Sequence, residues 1–337
     1  MYHTLALAPR TLGPVPHAPI TIRFNPRSGG GRAALLAARL GAALDARGLA
    51  SVQQRIGDEG QGEAPGQLVL VGGDGTIHHA LPESMARATP LVLLPAGNEN
   101  LIAREMGWGR DVGVLAATLA AGVTRRVDAG VVEWSVADGG DYVGRASGPE
   151  GVHRRRPFVI MLSMGFDANV VNRLDVSPRY GARHSAYVGP LLAEVLRPSW
   201  PVVTVVADGK RVVTARPGLL VIANSRRYAL EINPCPRAEI DDGLLDYTFM
   251  PMGSRGELVE WLCLCAMGRH VLDDRAVWGR TAGIEMERHD GPLVAQIDGE
   301  SMDFGGARAA TLRVAARAVT MMVAAPAVTM TMVVGRQ

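Results

Sequence analysis

The chain has 337 residues, 47% of them hydrophobic and 20% charged, with a formal net charge of +2. That length suits two domains, and that composition excludes a disordered chain. The near-balanced charge gives no footing for nucleic acid, although a pI near 8.6 tolerates an anionic membrane surface. Three cysteines offer no paired framework, and no histidine cluster completes a metal site around Cys263-Leu264-Cys265, which reads as core packing in an apolar helix. A reducing, cytoplasmic setting is the simplest expectation.

Residues 1–19 form an extended, Pro-rich lead-in without the basic start and long apolar region of a secretory signal. Ile20 to Phe24 reads as a strand entering the turn Asn25-Pro26-Arg27-Ser28-Gly29-Gly30-Gly31, followed by a helical pattern from Ala33 to Ala46. A second strand covers about Ala50 to Arg55, and the stretch from Ile56 to Gly66 is too short and glycine-rich for a helix. Leu68 to Val71 is an apolar, parallel-type strand that stops at Gly72-Gly73-Asp74-Gly75-Thr76, with a helix beginning at Thr76. Leu91 to Leu94 ends at Pro95, and Asn98 and Asn100 precede another helix.

From about residue 130 strands take over: Val131 to Val136, Phe158 to Met164, Val202 to Val206, Leu219 to Ala223 and Leu245 to Met250, with one helix from Arg255 to Met267. Gly-rich loops at 138–152 and 238–243 separate them, and Arg154-Arg155-Arg156 reads as a solvated loop. The segment from Val319 to Val334, with Pro326 and several threonines, reads as two terminal strands that return to the first domain. No run reaches the ~20 apolar residues of a membrane span. The fold expected is therefore α/β: an N-terminal doubly wound parallel-sheet domain, residues 1–129 completed by about 311–337, and a C-terminal antiparallel β-sandwich domain, residues 130–310.

Three strand–loop–helix units place glycines, amides and one carboxylate at the same sheet edge, where open α/β sheets bind ligands. Glycines let the backbone approach a ligand, and helix N-termini favour phosphate. Asn25 and Ser28 can hydrogen-bond a phosphate, Gly73 is expected at positive φ, and Asp74 adds a partner for a metal or hydroxyl. Separate ordinary turns remain the plain alternative. His78-His79 reads as solvated or packing, and Trp261 and Trp278 as core.

Asn25-Pro26-x-Ser28-Gly29, Gly72-Gly73-Asp74-Gly75-Thr76 and Pro95-x-Gly97-x-x-Asn100-x-x-Ala103-Arg104 resemble the three nucleotide-binding motifs of the diacylglycerol kinase catalytic domain. Bacterial lipid kinases and sphingosine and ceramide kinases share that domain, and NAD kinases are distant relatives. Further matches follow in the family's order: Arg126-Val127-Asp128-x-Gly130, Gly165-Phe166-Asp167-Ala168, Ala223-Asn224, Asp241-Asp242-Gly243-Leu244-Leu245-Asp246 and Ile297-Asp298-Gly299-Glu300.

The resemblance implies a lipid kinase that uses ATP and magnesium to phosphorylate a diacylglycerol-like or sphingoid hydroxyl. It implies that Asn25, Pro26, Ser28, Gly29, Gly72, Gly73, Gly75, Thr76, Gly97, Asn98 and Asn100 hold the nucleotide. Asp74 and Asp128 would lie near the catalytic magnesium, and Glu300 would be the general base. Asp242, with backbone oxygens near Glu239 and Leu244, is similar to the family's structural magnesium site; a plain Asp-Gly turn fits Asp242 equally well. The lipid would be met at a membrane surface, peripherally at its inner face, with no nucleic acid and no transmembrane segment; a homodimer stays open. Three departures stand out: Asn98 where the family has threonine, Leu101 where it commonly has aspartate, and the missing helix after strand two. They leave open a nucleotide-binding pseudoenzyme with a regulatory role, or a kinase for a soluble polyol or nucleotide.

Overall fold

The computed structural model describes residues 19–26, 28–58, 65–97, 99–136, 152–176, 198–229 and 232–324. Its first half is a parallel sheet of β1 (Ile20–Phe24), β2 (Ser51–Arg55), β3 (Gln67–Gly72) and β4 (Leu91–Pro95), in the order β2-β1-β3-β4. The side chains of β3 alternate between two cores. Leu68 and Leu70 face α2 (Asp74–Arg87) and α3 (Leu101–Met106), whereas Val69 and Val71 face α1 (Arg32–Asp45) and α4 (Val112–Ala121). Because every residue of β3 and β4 is buried, both strands read as continuous apolar runs. Helices on both faces make this half doubly wound.

The second half is built from β5 (Thr124–Val136), β6 (Val152–Phe158), β7 (Met161–Met164), β8 (Val202–Ala207), β9 (Lys210–Ala223), β10 (Leu245–Pro251), β11 (Val277–Thr281), β12 (Gly283–Arg288), β13 (Val294–Ile297), β14 (Glu300–Asp303) and β15 (Ala309–Met322). Its strand pairs are antiparallel and form a sandwich. β9 serves both layers: residues 210–217 pair β8, and residues 218–223 pair β7 and β10. Val205, Leu220, Ile222, Phe249, Ile284 and Leu312 fill the space between. Among the described residues two helices lie outside it, α5 (Phe166–Val176) and α6 (Arg255–Ala266).

β5 and β15 join the halves. β15 pairs β5 antiparallel from Thr311↔Glu133 to Met322↔Thr124, with an irregularity between Ala315 and Val319. It also meets β12 at one end and β4, through Met321↔Leu91, at the other. No helix among the described residues is long and apolar enough to cross a membrane.

Several local expectations are corrected. Arg154–Arg156 are not loop but β6, paired with β5 through Trp134↔Arg154 and Val132↔Arg156. The run from Phe158 to Met164 breaks at Val159–Ile160, whose amides turn aside to a carboxylate described below. Of the two strands expected over Val319 to Val334, the first is the end of β15, and the second lies outside the described residues. α5, which follows directly on β7, was not expected from the sequence. Cys235 and Cys265 are buried, but Cys263 is exposed on α6. Trp261 is core, whereas Trp278 is 37% exposed and lies beneath Arg237, 4.2 Å from its ring centroid.

Candidate functional site

The three strands β1, β3 and β4 end in register, Phe24 beside Val71 and Gly72 beside Pro95, so their loops emerge side by side. The loops touch through glycine. A Cβ on Gly29 would stand 2.6 Å from the carbonyl oxygen of Ala96, and one on Gly97 would stand 2.9 Å from Cα of Gly73. On Gly72 it would overlap the hydroxyl of Thr76. Left-handed backbone sits in the first loop, at Gly29 (φ 61°), Gly30 (67°) and Gly31 (90°). Gly73 instead is extended, at φ −111° and ψ −169°, so the expectation of positive φ there is corrected. The first loop is drawn in by Asn25, whose N–H donates to Val71 O at 3.2 Å, and by Ser28, whose N–H donates to Asn25 O at 3.0 Å, across Pro26. In the third loop the Asn100 side chain clasps Gly97, accepting its N–H at 3.1 Å and donating to its carbonyl at 2.7 Å. Asn98 lies outside the described residues.

Asp74 opens α2 and accepts the first two amides of α3, Leu101 N–H at 2.9 Å and Ile102 N–H at 3.0 Å. Leu101, where a carboxylate was missed in the sequence, thus contributes its backbone. Burial still pushes the Asp74 carboxyl up to about 6, with Asp298 and Glu99 adding to the rise and the two amides opposing it. A buried carboxylate with the further negative charge of Asp298 and Glu99 nearby is one that a hard cation would relieve, so Asp74 fits a magnesium ion brought with a nucleotide.

Across the cleft, β13 and β14 hold the tight turn Asp298–Gly299. The carboxylate of Asp298 is buried and accepts three consecutive amides, Val159, Ile160 and Met161, at 2.9, 2.8 and 3.0 Å. Those bonds interrupt the strand between β6 and β7 and fix the turn, with Asp298 itself left-handed at φ 50°. Gln296 Oε1 accepts the Gly299 N–H at 2.8 Å. Glu300 then reaches the glycine loop: a Cβ on Gly75 would overlap its Oε1. Its Oε2 lies 3.4 Å from His79 Nε2 and 3.6 Å from Arg156 Nη2. The Glu300 carboxylate holds His79 above the usual imidazole range, against partial burial and Arg156.

The other candidate residues lie toward the 238–243 loop. Asp128 is fully buried, and its oxygens accept the amides of Gly243 and Arg317, each at 2.6 Å. Asn224, also buried, donates to the carbonyls of Asp128 at 3.0 Å and Val159 at 2.9 Å. Asp128 therefore braces the start of the second half. Asp242 accepts the Leu244 N–H at 3.0 Å and is ion-paired with Arg280, which also reaches Asp246 at 3.3 Å. Arg125 holds Asp241, and Glu239 is exposed. With a guanidinium on its carboxylate, Asp242 does not fit a divalent cation. Among the described residues no three His, Cys, Asp or Glu side chains gather as a metal cage.

Sequence reasoning missed His78, His79 and Arg156 as members of this site, and took Asp298 only as part of the Asp298-Gly299-Glu300 motif. For Asp298 the Asp-Gly pair is the local signal. Arg156 had none, since it arrives only through the pairing of β6 with β5.

Two family models match this chain: the diacylglycerol kinase catalytic domain over residues 19–132, and the YegS C-terminal NAD kinase beta sandwich-like domain over residues 160–323. Diacylglycerol kinases of Mycobacterium tuberculosis, strains CDC 1551 / Oshkosh and ATCC 25618 / H37Rv, are each 28% identical over 278 residues, covering 80% of this chain and 84% of the relative. A crystal structure of a diacylglycerol kinase from Bacillus anthracis str. Sterne superposes with a TM-score of 0.61 at 15% identity, over 91% of this chain and 97% of that one. Two more structures from that strain give TM-scores of 0.63 and 0.62 at 16% identity over the same shares. These likenesses establish a shared fold.

Proposed function

We propose that this chain, which belongs to the diacylglycerol kinase catalytic-domain family, transfers the γ-phosphoryl group of ATP to the hydroxyl of a lipid, diacylglycerol-like or sphingoid, met at a membrane surface. The observation that carries this reading is the contact between halves: Glu300, from the sandwich, lies directly on Gly75, from the glycine loop.

Phosphoryl transfer rests mainly on positioning and charge stabilisation. Asn25, Pro26, Ser28 and Gly29 line one side of the phosphate path. Gly72, Gly73, Gly75 and Thr76 line the floor, where the N-terminus of α2 favours negative charge. Gly97 and Asn100 close the third side. Asp74 is the residue suited to hold magnesium, which when bound neutralises phosphate charge. Glu300 takes the proton of the acceptor hydroxyl as that oxygen bonds to the γ-phosphorus and the bond to the β-phosphate oxygen breaks, releasing ADP. The sandwich half, residues 130–310, receives the acceptor.

The test is Glu300→Gln, which keeps shape but takes no proton. Turnover on dioctanoylglycerol or sphingosine should fall about 10²–10⁴-fold with ATP affinity nearly unchanged. Unchanged turnover overturns the assignment of the base. ATP binding without phosphorylation of any lipid by the native chain favours the nucleotide-binding pseudoenzyme instead.

A further inference from the structure

The oxygens of Glu300 have different neighbours. Oε1 lies against Gly75, whereas Oε2 faces two cationic side chains, His79 and Arg156. The carboxylate is 31% exposed and its terminal torsion is intrinsically broad, so an unheld glutamate would rotate freely between the cleft and water.

Arg156 is anchored from behind. Its Nε donates to His78 Nε2 at 2.6 Å, and Nη1 lies 3.7 Å from Met302 Sδ. A nitrogen that accepts from a guanidinium carries no proton, so the His78 proton belongs on Nδ1. That nitrogen is buried, has no hydrogen-bond partner among the described residues, and stands 3.5 Å from Asp298 Oδ2. The His78 side chain is only 1% exposed. A continuous line thus runs from Asp298 through His78 and Arg156 to Glu300, and Asp298 is itself pinned by three backbone amides. His79, on the same turn of α2 but 63% exposed, touches Glu300 from the solvent side.

We infer that Arg156 and His79 are positioning residues for Glu300, gripping Oε2 so that Oε1 alone is turned to the glycine loop, where the transferred phosphoryl group and the acceptor hydroxyl meet. This rests on the reading of Glu300 as the base. The planar guanidinium fork serves two partners at once, His78 and Glu300, which an ammonium cannot do in one geometry. His79 is the weaker hand, because an exposed pair is screened by water and salt.

The experiment compares Arg156→Met, Arg156→Lys, His79→Gln, Glu300→Gln and the double variant Arg156→Met/Glu300→Gln. Steady-state kinetics use ATP with dioctanoylglycerol in mixed micelles and with sphingosine as second acceptor. Misplacement of a reacting group by about 1 Å costs on the order of a hundredfold. Arg156→Met should therefore lower kcat about ten- to a hundredfold while KM for ATP stays within about twofold, and Arg156→Lys should recover part of the loss. His79→Gln, at a solvent-facing position, should lower kcat a few-fold without change in melting temperature. The double variant should be no slower than Glu300→Gln alone, since Arg156 acts through that carboxylate. A double variant slower than Glu300→Gln, or an Arg156→Met enzyme with native kcat, overturns the positioning role while the base assignment stands. Native turnover in Glu300→Gln, or no phosphorylation of either acceptor by the native chain, overturns both.

Discussion

The carboxylate of Glu300 fills the space that a side chain at Gly75 would need. The glycine is thus required by a residue of the other half rather than by its own backbone, which lies outside the left-handed region. As the second residue of α2, position 75 would gain about 0.8–1 kcal/mol of helix propensity from alanine. Gly75→Ala should therefore fold with an equal or higher melting temperature, yet lose about a hundredfold in turnover as Glu300 is pushed aside. Calorimetric melting and kinetics on one preparation decide it; native turnover in the variant would show that Glu300 is free to work from elsewhere.

Adjacent glycines of the first loop should behave differently. Gly29 and Gly30 share the left-handed backbone, at 61° and 67°, but a Cβ on Gly29 meets the Ala96 carbonyl whereas one on Gly30 meets open space. Gly30→Ala should cost only the left-handed penalty, about 1–2 kcal/mol. Gly29→Ala should cost more and weaken ATP binding as well, because the first and third loops are forced apart. Urea unfolding of both variants, with equal losses, would remove the contact from the argument.

Asp74 carries a stability signature that depends on pH. Its carboxyl rises from 3.8 to about 6 on folding, so the folded chain binds this proton more tightly than the unfolded chain. The sign follows: protonated Asp74 is free of penalty below about pH 4, and the penalty grows as pH rises through 6. In nucleotide-free, metal-free buffer, the melting temperature of the native chain relative to Asp74→Asn should fall as pH goes from 4 to 7. A difference that stays flat across that window rejects the burial effect.

At Asp242 the counter-charge is already supplied by Arg280. The melting temperature of the nucleotide-free chain should then be the same in millimolar magnesium and in EDTA. Arg280→Gln leaves Asp242 and Asp246 without that guanidinium and, because the arginine is exposed, should cost about 1 kcal/mol or less, with part of the loss restored by magnesium through mass action. A native chain that melts higher in magnesium would restore Asp242, with oxygens near Glu239 and Leu244, as a metal loop.

What the sequence carried plainly was periodic or local. Leu68 to Val71 and Leu91 to Leu94 are buried on both faces, so their apolar runs announce parallel strands, and Gly72–Thr76 announces the turn between strand and helix. The alternation after residue 130 marks the sandwich for the same reason. What it hid depends on partners distant in the chain. Arg154–Arg156 look like solvated loop because their strand identity comes from β5, and Trp278 looks like core because nothing local says that β11 lies at an edge, paired among the described residues only with β10. His78 illustrates the same limit: its buried line to Asp298 and Arg156 joins three elements that no spacing connects.

The place of β15 also governs how the molecule is made. It is the last described strand, yet its end lies beside β4, and β5 between Thr124 and Val127 pairs only with its residues Val319–Met322. During synthesis from the N-terminus, the nascent parallel sheet therefore waits with β4 as an open edge, its amides and carbonyls unpaired on one side, until β15 has emerged. Exposed edges of this kind are where nascent chains associate wrongly. The hazard is greatest while residues 124–308 emerge, and the arrival of β15, not completion of the glycine loops, is the event that closes the fold.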